Sequence, residues 1–260
     1  MLLNSFCVLT ASMYLTTMKT LKLLLIVIAT GVLATGAARP NPVGQSRPTY
    51  TLNEQKYLPA LERELGIHWP DVLVRSYFAA QIRQETCASL THRKCWSPEA
   101  ELKTSREYGF GLGQLTVTPR FDNFREAKKL HTSLSDWEWE NRYNAAYQLR
   151  TMILMNRFNY GKVDWAYDHT ERFAFSFAAY NGGLGGVLSD RSVCRASDIC
   201  DESRWFGHVE RHSKKAKLAA SGYGKSFFDI NREYVRRVML EYPSRYSFYF
   251  GEQDLCFCLQ

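Results

Sequence analysis

The sequence predicts a mainly α chain, with a single globular domain behind an N-terminal extension. Three observations carry that prediction. Apolar residues recur at helical spacing in the windows around Tyr77–Thr86, Tyr143–Asn156, Phe173–Tyr180 and Ser226–Glu241. No stretch of any length alternates apolar and polar residues as a half-buried strand would, and no internal repeat is apparent. The chain has 260 residues, 45% hydrophobic and 14% aromatic, which suits one sizeable core.

Taken in order, Met18–Ala38 reads as a secretory signal. Lys19 and Lys22 give a positive start, Leu23–Leu33 an apolar run, and Ala34-Thr35-Gly36-Ala37-Ala38 a small-residue cleavage region. Residues 1–38 are therefore expected to be a signal peptide, with translation starting at Met1 or Met18, or an uncleaved N-terminal anchor. No Cys follows the small residues, which argues against a lipid-anchored lipoprotein. Residues 39–51, rich in Pro, Gly and polar side chains, read as a linker, and residues 52–250 as the domain. Asn53 is placed to cap a helix through Leu65 that stops at Gly66, and Pro70 to sit in the first turn of the next helix. Thr91–Glu107 reads as an irregular polar loop, and Asp122–Leu130 as a short helix. Ser135 and Glu138 have capping-box spacing for a long helix to about Asn156, its apolar stripe broken by Arg150. Thr170 is placed to cap the Phe173–Tyr180 helix, which Gly182-Gly183 would stop. A basic, glycine-bearing section (203–225) precedes an amphipathic helix (226–241), and residues 251–260 form a Cys-containing tail.

A formal net charge of +7 and a pI of about 9.0 favour an anionic partner. No zinc-finger spacing, aromatic RNA-binding box or basic region ahead of heptads is present, which argues against nucleic acid. Beyond Cys7, six cysteines remain (Cys87, Cys95, Cys194, Cys200, Cys256 and Cys258), an even count that fits disulfides in an oxidising compartment. Cys87 with Cys95 and Cys194 with Cys200 would make local loops, although the sequence does not fix the pairing. No C-x-x-C pair suggests zinc. His208 and His212, four apart with Glu210 between, lack the zinc-protease order and precede Lys214, Lys215 and Lys217, which reads as a solvated basic face. No metal and no cofactor are expected.

Three stretches carry chemistry. Phe78, Ile82 and Glu85 fall at i, i+4 and i+7, so a helix there lays a carboxyl along its own apolar face, where lost hydration raises its pKa and lets it act as a general acid. Alone, the same Glu could sit exposed at a helix end beside Arg83 or Lys94. Tyr108–Leu115 is a glycine-punctuated loop whose backbone can approach a ligand or the carboxyl-bearing helix. Phe173, Phe177 and Tyr180 share a helical face just before Asn181-Gly182-Gly183.

In this order these stretches resemble the soluble-type lytic transglycosylases, which share the lysozyme-like fold of goose-type lysozymes. The matching residues are Glu85-Thr86, Gly111-Leu112-Gly113-Gln114, Ala179-Tyr180-Asn181-Gly182-Gly183 and Ile230-Asn231-Arg232-Glu233-Tyr234-Val235, over roughly Leu52–Tyr246. The resemblance implies a single lysozyme-like domain that cleaves the MurNAc-β-1,4-GlcNAc bond of peptidoglycan strands with 1,6-anhydro-MurNAc formation, without a cofactor. Glu85 would be the acid/base and Tyr180 would hydrogen-bond it or a substrate oxygen. Thr86, Gly111, Leu112, Gly113, Gln114, Asn181 and Tyr234 would line the sugar sites. Thr86 stands where the family usually has Ser, and Ile230 and Asn231 where it has Glu and Thr, which puts substrate detail in doubt. The expected location is exported, in the periplasm or cell envelope or secreted, with membrane association through the N-terminus and cell-envelope machinery left open as partners. Two alternatives stand beside this. One is a hydrolytic muramidase with a second carboxylate among Glu99, Glu101, Glu107 and Asp122, Glu107 foremost. The other is a non-catalytic wall-binding component of a secretion apparatus.

Overall fold

Helix α1 (Leu52–His68) begins at Thr51, two residues before the expected Asn53 cap. The Thr51 hydroxyl accepts from Glu54 N–H (3.3 Å) while the Glu54 carboxylate accepts from Thr51 N–H (2.7 Å), so two orphan donors are satisfied together. Asn53 instead donates to the Cys95 carbonyl (2.9 Å). Gly66 does not stop the helix, which runs on to His68. The computed structural model describes residues 47–252 apart from 216, 221 and 222; the expected signal or anchor, residues 39–46 of the linker, Cys256 and Cys258 lie outside the described residues.

Helix α2 (Ser76–Thr86) carries Glu85 in its last turn. Pro70 lies ahead of it in the connection, not in its first turn. The reason is Trp69, which is buried against Phe78 and Phe173 (ring centroids 5.6 and 5.9 Å), so the chain dips into the core there before α2 can start. The start of α2 is held from far along the chain. Glu252 accepts from Arg75 N–H (2.6 Å) and Ser76 N–H (3.1 Å), placing a carboxylate where the helix dipole favours one.

The polar stretch expected as a loop, Thr91–Glu107, contains one strand, and two more flank the glycine turn that follows it. β1 (Glu101–Lys103), β2 (Tyr108–Phe110) and β3 (Leu115–Val117) form an antiparallel sheet in the order β1-β2-β3, with Glu101 opposite Phe110 and Tyr108 opposite Val117. The glycine loop is the β2–β3 turn. Helix α3 (Asn123–Ala127) follows, capped by Asp122. The Ser135–Glu138 capping box does not form: Trp137 is fully buried and donates its indole N–H to Asn141 O (3.2 Å), so the chain makes a short 3₁₀ turn at Trp139–Asn141 first. Helix α4 (Ala145–Lys162) then starts at Asn144. Arg150, which breaks its stripe, reaches Glu64 (3.1 Å) and the Ser133 carbonyl (2.7 Å).

Asp168, not Thr170, caps α5 (His169–Gly182), which ends at Gly183 with φ 79°. Helix α6 (Leu184–Arg195) follows directly. Ser226 caps α7 (Phe227–Arg236), which widens into a π turn at Arg237–Glu241 before α8 (Pro243–Phe250). Helix α4 packs between α1 and α5, α5 also packs on α6 and α7, and α2 lies against α8 and the π turn. The main core includes Leu61, Phe78, Ile82, Phe173, Phe177, Val235 and Tyr246; a smaller cluster of Phe110, Leu115, Phe124, Leu134, Trp137 and Leu154 fills the space by the sheet. Disulfides Cys87–Cys95 and Cys194–Cys200 staple the chain just past α2 and at the end of α6. Among the described residues no helix is long and apolar enough to cross a membrane.

Candidate active site

Phe78 and Ile82 on α2 are wholly buried, and Glu85 continues their face one turn further. The residue keeps part of its surface open, but its carboxyl is enclosed enough that loss of hydration pushes its pKa up to about 8, against the downward pull of one hydrogen bond from Tyr234. That bond runs from the Tyr234 hydroxyl to Glu85 Oε1 at 2.5 Å. Among the described residues Glu85 is in no ion pair, so nothing cationic offsets its burial.

Behind Tyr234 stands a line of buried amides. Gln81, one turn before Glu85 on α2, donates to the Tyr234 hydroxyl (3.0 Å) and accepts from Asn156 of α4 (2.8 Å). Neither amide was singled out in the sequence. The available signal was that both are polar residues set among apolar neighbours on helices, Gln81 exactly one turn from the carboxyl it serves.

The hydroxyl that meets Glu85 is thus Tyr234's, whereas Tyr180 donates to the Gly113 carbonyl (2.7 Å). Tyr180 is close enough for the Glu85 charge, after burial, to help push its pKa well above the usual tyrosine value. It sits directly against the loop because Gly113 has no side chain; a Cβ there would lie 2.6 Å from the Tyr180 hydroxyl. Gly111 is needed twice over. Its φ is 80°, and a Cβ would lie 2.5 Å from Gln148 Cδ. Gln148 clamps the turn by accepting from Leu112 N–H (2.9 Å) and donating to the carbonyls of Pro98 (2.9 Å) and Arg142 (2.8 Å).

Several expected sugar-lining residues have other work. Leu112 points into the core and is fully buried. Gln114, at φ 45°, donates its side-chain amide to the carbonyls of Ala100 (3.1 Å) and Gly111 (2.9 Å), tying the turn to itself. The Thr86 hydroxyl donates to Ile82 O (2.7 Å) and accepts from Trp96 N–H (2.9 Å), so it locks the end of the Glu85 helix rather than facing outward. Asn181 is exposed, and its Oδ1 accepts from buried Asn231 (3.0 Å), which also donates to Ala178 O (3.0 Å). Asn231 therefore secures the end of α5 against α7.

Of the carboxylates weighed for a role, Glu101 and Glu107 bond other tyrosines than Glu85 does. Glu101 accepts from the Tyr108 and Tyr143 hydroxyls, which hold its pKa below the ordinary value, and Glu107 accepts from Tyr223. Glu171 is also raised by burial, but one of its oxygens is filled by the backbone N–H groups of Trp205 (2.7 Å) and Phe206 (3.2 Å). Metal-ligand atoms converge, among the described residues, at Cys194, Cys200 and His212, all within 4.8 Å. The two sulfurs there are bonded to each other, and His212 Nδ1 lies 2.9 Å from the His208 carbonyl.

The assembled centre is one hydration-starved carboxyl at a helix end, a tyrosine donating to one of its oxygens, and a rigid glycine turn held beside it by a second tyrosine. Such a group can hold a proton near neutral pH, give it to a leaving oxygen and take one back. Compared with models of known protein families and with curated protein sequences, the chain matches none.

Proposed function

We propose that the protein is a peptidoglycan lytic transglycosylase of lysozyme-like fold, with Glu85 as its single acid/base. The observation that carries this is the Glu85 carboxyl itself: enclosed, without a cationic partner, and pushed up to about 8. At neutral pH it holds the proton that a glycosidic oxygen needs. Glu85 gives that proton to the oxygen linking MurNAc C1 to GlcNAc C4 as the C1–O bond breaks, with the substrate's N-acetyl oxygen assisting at C1. The resulting carboxylate then takes the proton from the MurNAc 6-hydroxyl as O6 bonds to C1. No water is consumed, and Glu85 ends protonated as it began.

Three further observations support this reading. Glu101 accepts from Tyr108 and Tyr143 and Glu107 from Tyr223, so among the described residues neither carboxylate joins the hydrogen-bond network of Glu85. The two disulfides fit an oxidising compartment such as the cell envelope. The net charge of +7 fits an anionic wall polymer as partner.

Mass spectrometry of purified peptidoglycan digested with the protein, beside a Glu85→Gln control, tests the proposal. Muropeptides lighter by one water than lysozyme products, absent from the control, are expected. Hydrated products would replace the proposal with a muramidase, and no products with either protein would replace it with a binding role.

A further inference from the structure

The buried amides behind Glu85 have only one self-consistent arrangement of donors and acceptors. One terminal atom of the Asn156 side chain lies 2.8 Å from the Met152 carbonyl oxygen. A carbonyl can only accept, so that atom is the amide nitrogen. The same nitrogen lies 2.8 Å from a terminal atom of Gln81, which must then be Oε1. The other end of Gln81, 3.0 Å from the Tyr234 oxygen, is therefore its NH₂ group and donates. Tyr234 has one hydrogen, and with Gln81 donating to its oxygen, that hydrogen goes to Glu85 Oε1 at 2.5 Å. A backbone carbonyl on α4 thus sets the direction of a hydrogen bond on α2.

The arrangement is sealed. Gln81, Asn156 and Tyr234 are at most 2% exposed, so bulk water does not offer alternative partners. It also leaves Asn156 Oδ1 buried with no hydrogen-bond partner among the described residues.

We infer that Gln81 and Asn156 are positioning residues, which fix the direction of the Tyr234 hydroxyl and leave Oε2 as the oxygen of Glu85 that carries its proton. Because Oε1 is occupied by an incoming hydrogen, the acid hydrogen is presented at one defined place, not shared between two. The catalytic consequence rests on Glu85 being the acid of the proposed reaction; the hydrogen-bond direction does not. Among the described residues, the ionisable groups facing the Glu85 carboxyl are Tyr234 from α7 and Tyr180 from α5.

The experiment is an NMR titration of the Glu85 side-chain carboxyl carbon in the full chain labelled with ¹³C-glutamate, the resonance identified by its loss in Glu85→Gln. Tyr234→Phe removes the donor and is expected to raise the midpoint. Asn156→Leu frees Gln81 to turn round, so the midpoint should rise in the same direction by a smaller amount. Gln81→Met provides a second variant, read the same way, should Asn156→Leu fail to fold. The double variant Asn156→Leu/Tyr234→Phe should titrate no higher than Tyr234→Phe alone, since both act through one hydrogen. A midpoint unmoved by Asn156→Leu and Gln81→Met, or shifts that add in full in the double variant, would overturn the inference. Where peptidoglycan cleavage is measurable, the alkaline limb of kcat/KM should move with the NMR midpoint while KM stays put. Absence of cleavage would count against the proposed function and leave the titration result standing.

Discussion

Replacing Glu85 by Gln should make the protein more stable near neutral pH, and the gain should grow with pH in a defined window. The folded carboxyl has a pKa of about 8, against an ordinary value of 4.5. Below 4.5 both folded and unfolded chains hold the proton, and this residue costs nothing. As pH rises past 4.5 the unfolded chain ionises freely while the folded one resists, so stability falls until the folded carboxyl also ionises near pH 8. Integrated over proton binding, the loss between pH 4 and pH 7 is about 3 kcal/mol. This is an upper value, because Glu85 keeps part of its surface open. Glutamine has the same shape and no proton to lose. Urea unfolding of both proteins at pH 4, 5, 6 and 7, with disulfides oxidised, isolates the effect because all other groups titrate in both. The Gln variant should gain on the parent steadily from pH 4 to pH 7. Parallel stability curves, within about 0.5 kcal/mol, would refute the claim that burial holds the proton on Glu85.

Four further outcomes follow from other parts of the structure. Gly111→Ala combines a φ of 80° with a Cβ 2.5 Å from Gln148 Cδ, and thermal unfolding should show a loss of at least about 2 kcal/mol. Gly185→Ala in α6 meets no atom within 4 Å and should be neutral or stabilising. Glu54 is fully buried; burial pushes its pKa up, but Arg245, the Thr51 N–H and Tyr246 together bring it below the ordinary value. Its contribution is thus present above pH 4.5 and lost as pH falls through its folded pKa, and Arg245→Leu, which strands that charge, should cost about 3–5 kcal/mol in urea unfolding at pH 7. Converting Cys87 and Cys95 to Ser opens a loop of sequence separation 8, for which loop entropy predicts a loss of about 2.5 kcal/mol at the urea midpoint.

The long helices and the face that carries Glu85 were legible in the sequence because apolar periodicity is a property of many residues at once. Caps were not. Thr51 and Asp168 stand two positions from Asn53 and Thr170, and Asn144 nine from Ser135, where the burial of Trp137 delays the helix start. The sheet escaped notice because each strand is three residues long, too short for alternation to register. At the site, the family resemblance named both tyrosines and gave Tyr180 the bond to Glu85 or a substrate oxygen, whereas it is the Tyr234 hydroxyl that points at Glu85. That depended on the missing side chain of Gly113, which gives Tyr180 another acceptor. Gln81 and Asn156 were hidden because a buried amide looks like an ordinary polar residue until its partners on other helices are known.

The Glu252 carboxylate that caps α2 arrives from 176 residues downstream, and Arg245 reaches Glu54 across a separation of 191. The helix bearing Glu85 therefore waits for nearly the whole domain to be synthesised before its first turn is secured. Loop closure on that scale comes late, after the local helices have formed. The Glu85 centre therefore assembles only after the C-terminal residues have been made, so its timing is written into the order in which residues leave the ribosome.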